Sequence, residues 1–357
     1  MALTEIDGPP GLPWRRQLVG ALDRLTVCSD ALAGNPLGDP AQRPLYVYRS
    51  PGVLSGTAGP TATIYVLQGL LGQLDMWLDR SAFEPNVIER IDALYHERAA
   101  DSSHDLCPDA VIVFVDAWTS LGGSQFLNSS ATGRYLDYVC DEIVPFVDER
   151  YPTDARSSRR AVTGKSSGGY GAMVLPMLRP DVFGALATHA GDALFELCYL
   201  PDFAKVVRRL RDEFEGSYEI FWERFAARER FDFGRFGDCL NIYAMAACYS
   251  PDPDRPGDVL LPFDPGTGRL RDDVWSLWLE HDPVRMAAEH APALRALRAA
   301  HVEAGRSDEF SLDLGAQAFS DELSALGVEH SFELFDGRHG GIAYRYPGAI
   351  RRLLQAL

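Results

Sequence analysis

The sequence predicts an α/β fold, a mainly parallel sheet flanked by helices, with an aromatic-rich helical insertion late in the chain. Three observations predict it. Short apolar runs alternate with stretches of helical spacing from about residue 45 to 191 and again from 299 to 357, the order that builds parallel strands joined by crossover helices. Gly164-Lys165-Ser166-Ser167-Gly168, followed by Gly169, stands where a strand should turn sharply into a helix. Between residues 192 and 280 the alternation stops, and helix-prone sequence rich in Phe, Trp and Tyr takes its place.

Taken in order, a link carrying Pro36, Pro40 and Pro44 separates an N-terminal segment from a strand at 45–48. Residues 63–67 and 111–115 are continuous apolar runs, as in strands covered on both faces. Helical spacing over 83–93 lies between them. Across 134–150, Leu136, Cys140, Ile143 and Val147 fall near one helical face, and Pro145 should kink that helix. Ala161 and Val162 end a strand before the serine motif. The small, apolar stretch 169–178 suits a helix packed tightly on the sheet, and 184–191 reads as the next strand. Turns such as Pro251-Asp252-Pro253-Asp254 and Asp264-Pro265-Gly266-Thr267-Gly268 punctuate the insertion. Then follow a strand at 299–303, a helix at 316–326 stopped by Gly327, an alternating strand at 329–335 and a final helix near 349–357. Residues 1–357 thus read as one domain, with 192–280 inserted into it.

A chain of 357 residues with 24 % charged residues can bury a substantial core. Its net charge of -17 disfavours nucleic acid or an anionic membrane as partner, because both would repel it. The first fourteen residues contain Pro9-Pro10 and no apolar core, unlike a secretory signal. No run approaches the roughly 18 apolar residues of a membrane span. Six cysteines, Cys28, Cys107, Cys140, Cys198, Cys239 and Cys248, are scattered without a C-x-x-C pair, which suggests reduced core thiols and a cytoplasmic location.

The serine motif has the G-x-S-x-G pattern of a nucleophile elbow. In so sharp a turn the residues two before and two after the serine approach each other, so both should be glycine, as Gly164 and Gly168 are. Ser167 is the weaker candidate nucleophile, since Lys165 would occupy the glycine position before it. Gly-Lys-Ser also ends a P-loop, but that motif needs a glycine where Arg159 stands. A serine hydroxyl needs a base to take its proton, and histidine suits the task near neutral pH. Of eight histidines, His339 lies in Asp336-Gly337-Arg338-His339-Gly340-Gly341, a glycine-rich loop directly after a strand. His189 comes too early in the chain order and reads as a core or wall residue; His96, His104, His281, His290, His301 and His330 have no such context. The acid that orients the imidazole should follow the preceding strand, and Asp308 does. Glu309 is its neighbour and competitor, while Asp336 should cap the histidine turn. An oxyanion site needs two N–H donors. One is the backbone of Ser167, and the other is expected from Leu70, in Gln68-Gly69-Leu70-Leu71-Gly72 after the strand at 63–67.

These residues resemble the putative-esterase branch of the α/β hydrolases, which includes S-formylglutathione hydrolase (esterase D), enterochelin esterases, feruloyl esterases and the mycolyltransferases of the antigen 85 group. The similarity covers about residues 40–190 and 280–357. It rests on Tyr65-Val66-Leu67-Gln68-Gly69-Leu70, on Glu142-Ile143-Val144-Pro145-Phe146, on the elbow, and on the loops around Asp308 and His339. Gln68 replaces a more usual histidine or aspartate, Ser167 a commoner methionine, and Gly340 and Ile342 a frequent aromatic residue. The resemblance implies an α/β-hydrolase fold and cleavage of a small-molecule carboxylic ester through an acyl-serine, with no metal or cofactor. An acyltransferase passing the acyl group to an alcohol or amine is the alternative, and a catalytically silent binding protein the third. A homo-oligomer is compatible with all three. Gln68, Trp118 and Asn128 are candidates for contact with substrate. The insertion is expected to act either as a lid over an apolar or aromatic acyl group or as an extra helical layer.

Overall fold

Short strands, buried on both sides at the centre of the sheet and half-exposed at its edges, assemble into one eight-stranded sheet. The computed structural model describes residues 17–96 and 107–357; the first fourteen residues, judged above for a secretory signal, and His104 lie outside the described residues. The strands are β1 (Ala21–Cys28), β2 (Gln42–Arg49), β3 (Ala62–Leu67), β4 (Ala110–Val115), β5 (Arg160–Ser166), β6 (Ala185–Gly191), β7 (Ala299–Gly305) and β8 (Ser331–Phe335). Their spatial order is β1-β2-β4-β3-β5-β6-β7-β8. The β1/β2 and β2/β4 pairings are antiparallel and the rest are parallel. Every residue of β3, β4 and β6 is buried, as in strands covered on both faces. The expected mainly parallel α/β sheet is present.

The main helices are α1 (Val87–His96), α2 (Val144–Arg150), α3 (Ser167–Leu178), α4 (Leu200–Glu213), α5 (Tyr218–Ala226), α6 (Phe233–Tyr249), α7 (Asp272–Leu279), α8 (Pro283–Glu289), α9 (Leu312–Ala325) and α10 (Tyr346–Ala356). Several differ from expectation for identifiable reasons. Strand β1 is an unexpected edge strand, and β2 begins at Gln42, inside the proline-containing link. The helix expected at 83–93 starts at Val87, and Phe83 is 97 % exposed. Asn86 sets that start: its Oδ1 accepts the Glu89 N–H at 2.8 Å, while Glu89 Oε2 accepts the Asn86 N–H at 3.0 Å, a reciprocal cap. Before Pro145 the chain widens into a π-helical stretch, Tyr138–Ile143. The ring of a helical proline crowds the carbonyl four residues back, and a wider turn relieves it. Five cysteines are buried free thiols as expected, whereas Cys28 is exposed on the edge strand. No helix among the described residues is long and apolar enough to cross a membrane.

Helices cover both faces of the sheet. One core holds α1 and α10 against one face, through Ile88, Ile91, Leu94, Ile350 and Leu353. The other holds α2, α3 and α9, and it continues without a break into the insertion through Tyr199, Phe203, Phe214, Phe221, Tyr249 and Trp278. The insertion's rings pack edge to face, as Tyr199 on Trp278 at 5.6 Å and Phe203 on Trp275 at 5.5 Å between centroids. These aromatic residues form core.

Beneath the carboxyl ends of the strands lies a buried polar knot centred on Glu303 of β7. His189 Nδ1 lies 2.6 Å from its Oε1, His301 Nε2 3.1 Å from its Oε2, and Arg345 Nη2 donates to Oε2 at 2.5 Å. His189 is fully buried, 4.6 Å from the Tyr346 ring, and is a core residue as expected. Burial alone would raise the Glu303 carboxyl; the bonds from His189, His301 and Arg345 overcome it and hold the group well below the usual range. A folded-state value below the unfolded one gives stabilisation that is complete above about pH 4.5 and is lost as the pH falls. Glu303→Gln should therefore lower unfolding free energy by roughly 3 kcal/mol at pH 7. In urea titrations taken progressively below pH 4.5, the gap to the unaltered protein should narrow; a gap independent of pH would refute this role.

Candidate active site

The site begins with a steric requirement at the end of β5. A Cβ on Gly164 would stand 2.4 Å from the Gly168 carbonyl oxygen, and one on Gly168 would stand 2.3 Å from that of Leu67. Only glycine fits either place. Between them Ser166 is held at φ 58°, ψ -127°, a conformation that non-glycine residues adopt only when the surroundings impose it. Gly169 abuts Gly191, where a Cβ would come within 2.7 Å of the Gly191 Cα, so α3 is clamped against the end of β6. The Ser166 hydroxyl has no hydrogen bond among the described residues, whereas the Ser167 hydroxyl faces Asp192 Oδ2 at 3.5 Å.

Two further loops bring an imidazole and a carboxylate to this point. After β7, Arg306 N–H donates to the Phe335 carbonyl at 2.9 Å and Ser307 N–H to the Gly337 carbonyl at 3.0 Å. The loop after β8 is thereby tied to the loop after β7. A Cβ on Gly305 would lie 2.6 Å from the Gly337 oxygen, which shows how closely they run. On this support His339 Nδ1 lies 2.8 Å from Asp308 Oδ2. The other Asp308 oxygen, Oδ1, accepts the Phe310 N–H at 2.9 Å, and the Phe310 ring packs edge-on against the imidazole at 4.9 Å. The Asp308 side chain is fully buried. Glu309, the competing acid, instead accepts the backbone N–H of His339 at 2.9 Å and pairs with Arg338 at 3.2 Å. Asp336 makes no hydrogen bond among the described residues, so it does not cap the turn as expected.

The loop after β3 completes the ring of elements. Leu71 N–H donates to the Gly122 carbonyl at 2.9 Å and Gly72 N–H to that of Gly69 at 3.1 Å, while the Leu70 N–H makes no hydrogen bond among the described residues. Ser167 opens α3, where a first-turn N–H has no partner inside its helix. Gln68 is almost fully buried, and its Nε2 donates to the Gly72 carbonyl at 2.6 Å. It braces the loop.

Ser166, Ser167, His339 and Leu70 all border one cavity of about 500 Å³. Its remaining wall comes from the segment around residues 76–87, from Phe310 and Ile342, and from the insertion through Tyr199, Asp202, Phe233 and Asp238. Gln68, Trp118 and Asn128 do not line it. Trp118 offers its carbonyl to Arg43 at 2.9 Å, and exposed Asn128 accepts the Leu136 N–H at 3.0 Å; both shape the loop after β4. Lys165 and Asp192 are among the lining residues that escaped the sequence analysis. Lys165 forms no ion pair among the described residues; burial pulls its ammonium below the usual value, against the pull of Asp308, Glu309 and Asp192. Asp192 follows β6 immediately, and its position at a strand's carboxyl end was a signal available in the sequence.

No curated protein sequence matches the chain. Among solved structures, a ferulic acid esterase aligns with 96 % of this chain and 100 % of its own at 16 % identity, with a TM-score of 0.59. An S-formylglutathione hydrolase from Agrobacterium tumefaciens covers 96 % of this chain and 98 % of its own at 13 % identity, with a TM-score of 0.57. The fluorophosphonate-binding serine hydrolase FphF of Staphylococcus aureus covers 94 % and 97 % at 17 % identity, with a TM-score of 0.55. At these identities the likeness is one of fold. The family described as putative esterase matches residues 55–345. The chain therefore belongs to the putative esterase family of the α/β hydrolases, and carboxylic ester hydrolysis is the activity that accompanies that membership.

Proposed function

We propose that the protein is a serine carboxylesterase in which Ser166 is the nucleophile, His339 the general base and acid, and Asp308 the group that orients His339. The observation that carries this reading is the convergence on one cavity of a serine forced to φ 58°, ψ -127° and an imidazole whose Nδ1 is fixed 2.8 Å from a buried carboxylate. Fixing Nδ1 leaves Nε2 as the nitrogen available to the serine, the division of labour that acyl transfer needs.

In the first half-reaction His339 Nε2 takes the Ser166 proton as Oγ attacks the ester carbonyl. The developing oxyanion is met by the N–H groups of Ser167 and Leu70, each worth about 3 kcal/mol when well aimed. Asp308 stabilises the imidazolium, which then protonates the departing alkoxide. Water enters, loses its proton to His339 and attacks the acyl-serine; release of the acid returns the proton to Ser166. The insertion closes one side of the cavity through Tyr199, Phe233 and the carboxylates of Asp202 and Asp238.

Ser166→Ala should abolish labelling by a fluorophosphonate probe and lower kcat toward a simple aryl ester by roughly 10⁴-fold or more. Retained turnover would sink the assignment. The two adjacent acids should separate cleanly: Asp308→Asn is expected to reduce kcat by about 10³ to 10⁴-fold with little change in KM, whereas Glu309→Gln, whose carboxylate meets the His339 backbone and Arg338 but not the imidazole, should cost less than about tenfold. Equal losses in steady-state kinetics would show that the wrong carboxylate has been chosen.

A further inference from the structure

Part of the loop after β4, residues 119–126, contributes nothing to the cavity lining, yet it reaches both elements that carry the oxyanion donors. Residues 121–126 are buried, an unusual place for a loop, since its backbone groups must then find partners inside the protein. The turn first closes on itself. Gly122 N–H donates to the Thr119 carbonyl at 2.8 Å, and the Thr119 hydroxyl donates to the Gly123 carbonyl at 2.8 Å.

From this base, one end meets the loop after β3. The Gly122 carbonyl accepts the Leu71 N–H at 2.9 Å. A Cβ on Gly122 would stand 2.8 Å from Leu71 Cδ2 and 3.3 Å from Leu70 Cδ1, and one on Gly123 would stand 3.0 Å from Leu70 Cδ1. Leu70 and Leu71 thus rest on the bare backbone of two glycines. The other end meets α3 and the end of β6. The Phe126 ring lies over Gly171 of α3, where a Cβ would come within 2.5 Å of Phe126 Cδ2. Gln125 Nε2 donates at 3.0 Å to Asp192 Oδ2, the same oxygen that the Ser167 hydroxyl faces. Leu71, Gln125 and Phe126 have φ of 65°, 50° and 56°, left-handed values that such residues keep only where the surroundings over-determine them.

We propose that residues 119–126 are a positioning element for the oxyanion site, in which Gly122 and Gly123 set the Leu70 N–H, and Gln125 and Phe126 hold that setting relative to the Ser167 N–H. The inference rests on the esterase reading above and concerns how its two donors are held. These donors come from separate segments of chain and stabilise one oxygen only if both are aimed before the reaction begins. The bridge touches both segments and leaves the cavity itself free for substrate.

The test exchanges the atom that the donors meet. p-Nitrophenyl acetate and its thiono analogue differ by sulfur for the carbonyl oxygen, and sulfur, being larger and a weak acceptor, gains little from N–H groups aimed at oxygen. The unaltered protein should favour the oxygen ester by about 10²-fold or more in kcat/KM. Alanine at 122 would have to hold φ 108°, so in Gly122→Ala that preference should fall by about tenfold or more, with KM for the oxygen ester changed less than about threefold. Partial unfolding or a displaced Ser166 would slow both esters alike and leave the ratio unchanged. Gly123 has no left-handed φ, so Gly123→Ala disturbs chiefly the Leu70 contact and serves if Gly122→Ala does not fold. Its effect on the ratio, about threefold, should vanish when it is made in Leu70→Ala, as in a double-mutant cycle.

An unchanged ratio in the glycine variants overturns the proposal, as does an effect of Gly123→Ala that persists beside Leu70→Ala. A ratio near one in the unaltered protein overturns it without any variant. Turnover of neither ester removes the inference; labelling of Ser166 by a fluorophosphonate then tells whether the esterase reading survives it.

Discussion

The close passage of three backbone segments, at Leu67, Gly164 and Gly168, is the constraint on which the site depends. Two carbonyl oxygens occupy the space where side chains would be, and the chain can leave β5 only by lifting Ser166 into a strained conformation. Strain of this kind costs about 1 to 3 kcal/mol and persists because everything around it is fixed. α3 is buried along almost its whole length, and β5 is flanked by two wholly buried strands. The rigidity of the sheet centre is thus converted into the position of one hydroxyl.

The acid and the imidazole are placed by a different device. Both sit on loops, which are ordinarily the least constrained parts of a fold, but these loops are bonded to one another before either reaches its functional residue. Below them the Glu303 knot ties β6, β7 and the approach to α10 together. Aligning His339 with Asp308 is therefore a property of two strands and their shared loop contacts, with the hydrogen bond between the two side chains as the last contact made.

What could be read in advance follows from how local each signal is. Glycines at 164 and 168 answer to a turn of five residues, and Asp308 and His339 to loops directly after recognisable strands, so their chemistry was visible in short segments. Trp118 and Asn128 lie on a long loop whose direction depends on distant contacts with Arg43 and the 134–137 segment, and spacing says nothing of that. β1 was hidden because Asp23 and Arg24 blur its alternation, and because its partner is an edge contact. The start of α1 was legible in Asn86 and Glu89, but the apolar Phe83 drew attention upstream. Asp192 stood in plain view; what it means depends on β6 lying beside β5, which only the assembled sheet supplies.

The insertion's share in the cavity has a consequence for how such a protein can change. Tyr199 borders the cavity, and it also packs on Phe195 and Trp278 while donating to Asp192. A replacement there alters recognition and core packing in the same stroke, and truncating a buried aromatic side chain costs several kcal/mol. The segment around residues 81–84 is exposed and carries no such burden. Divergence in substrate preference should therefore accumulate first on that outer rim, while the aromatic wall changes only where compensating substitutions keep its packing intact.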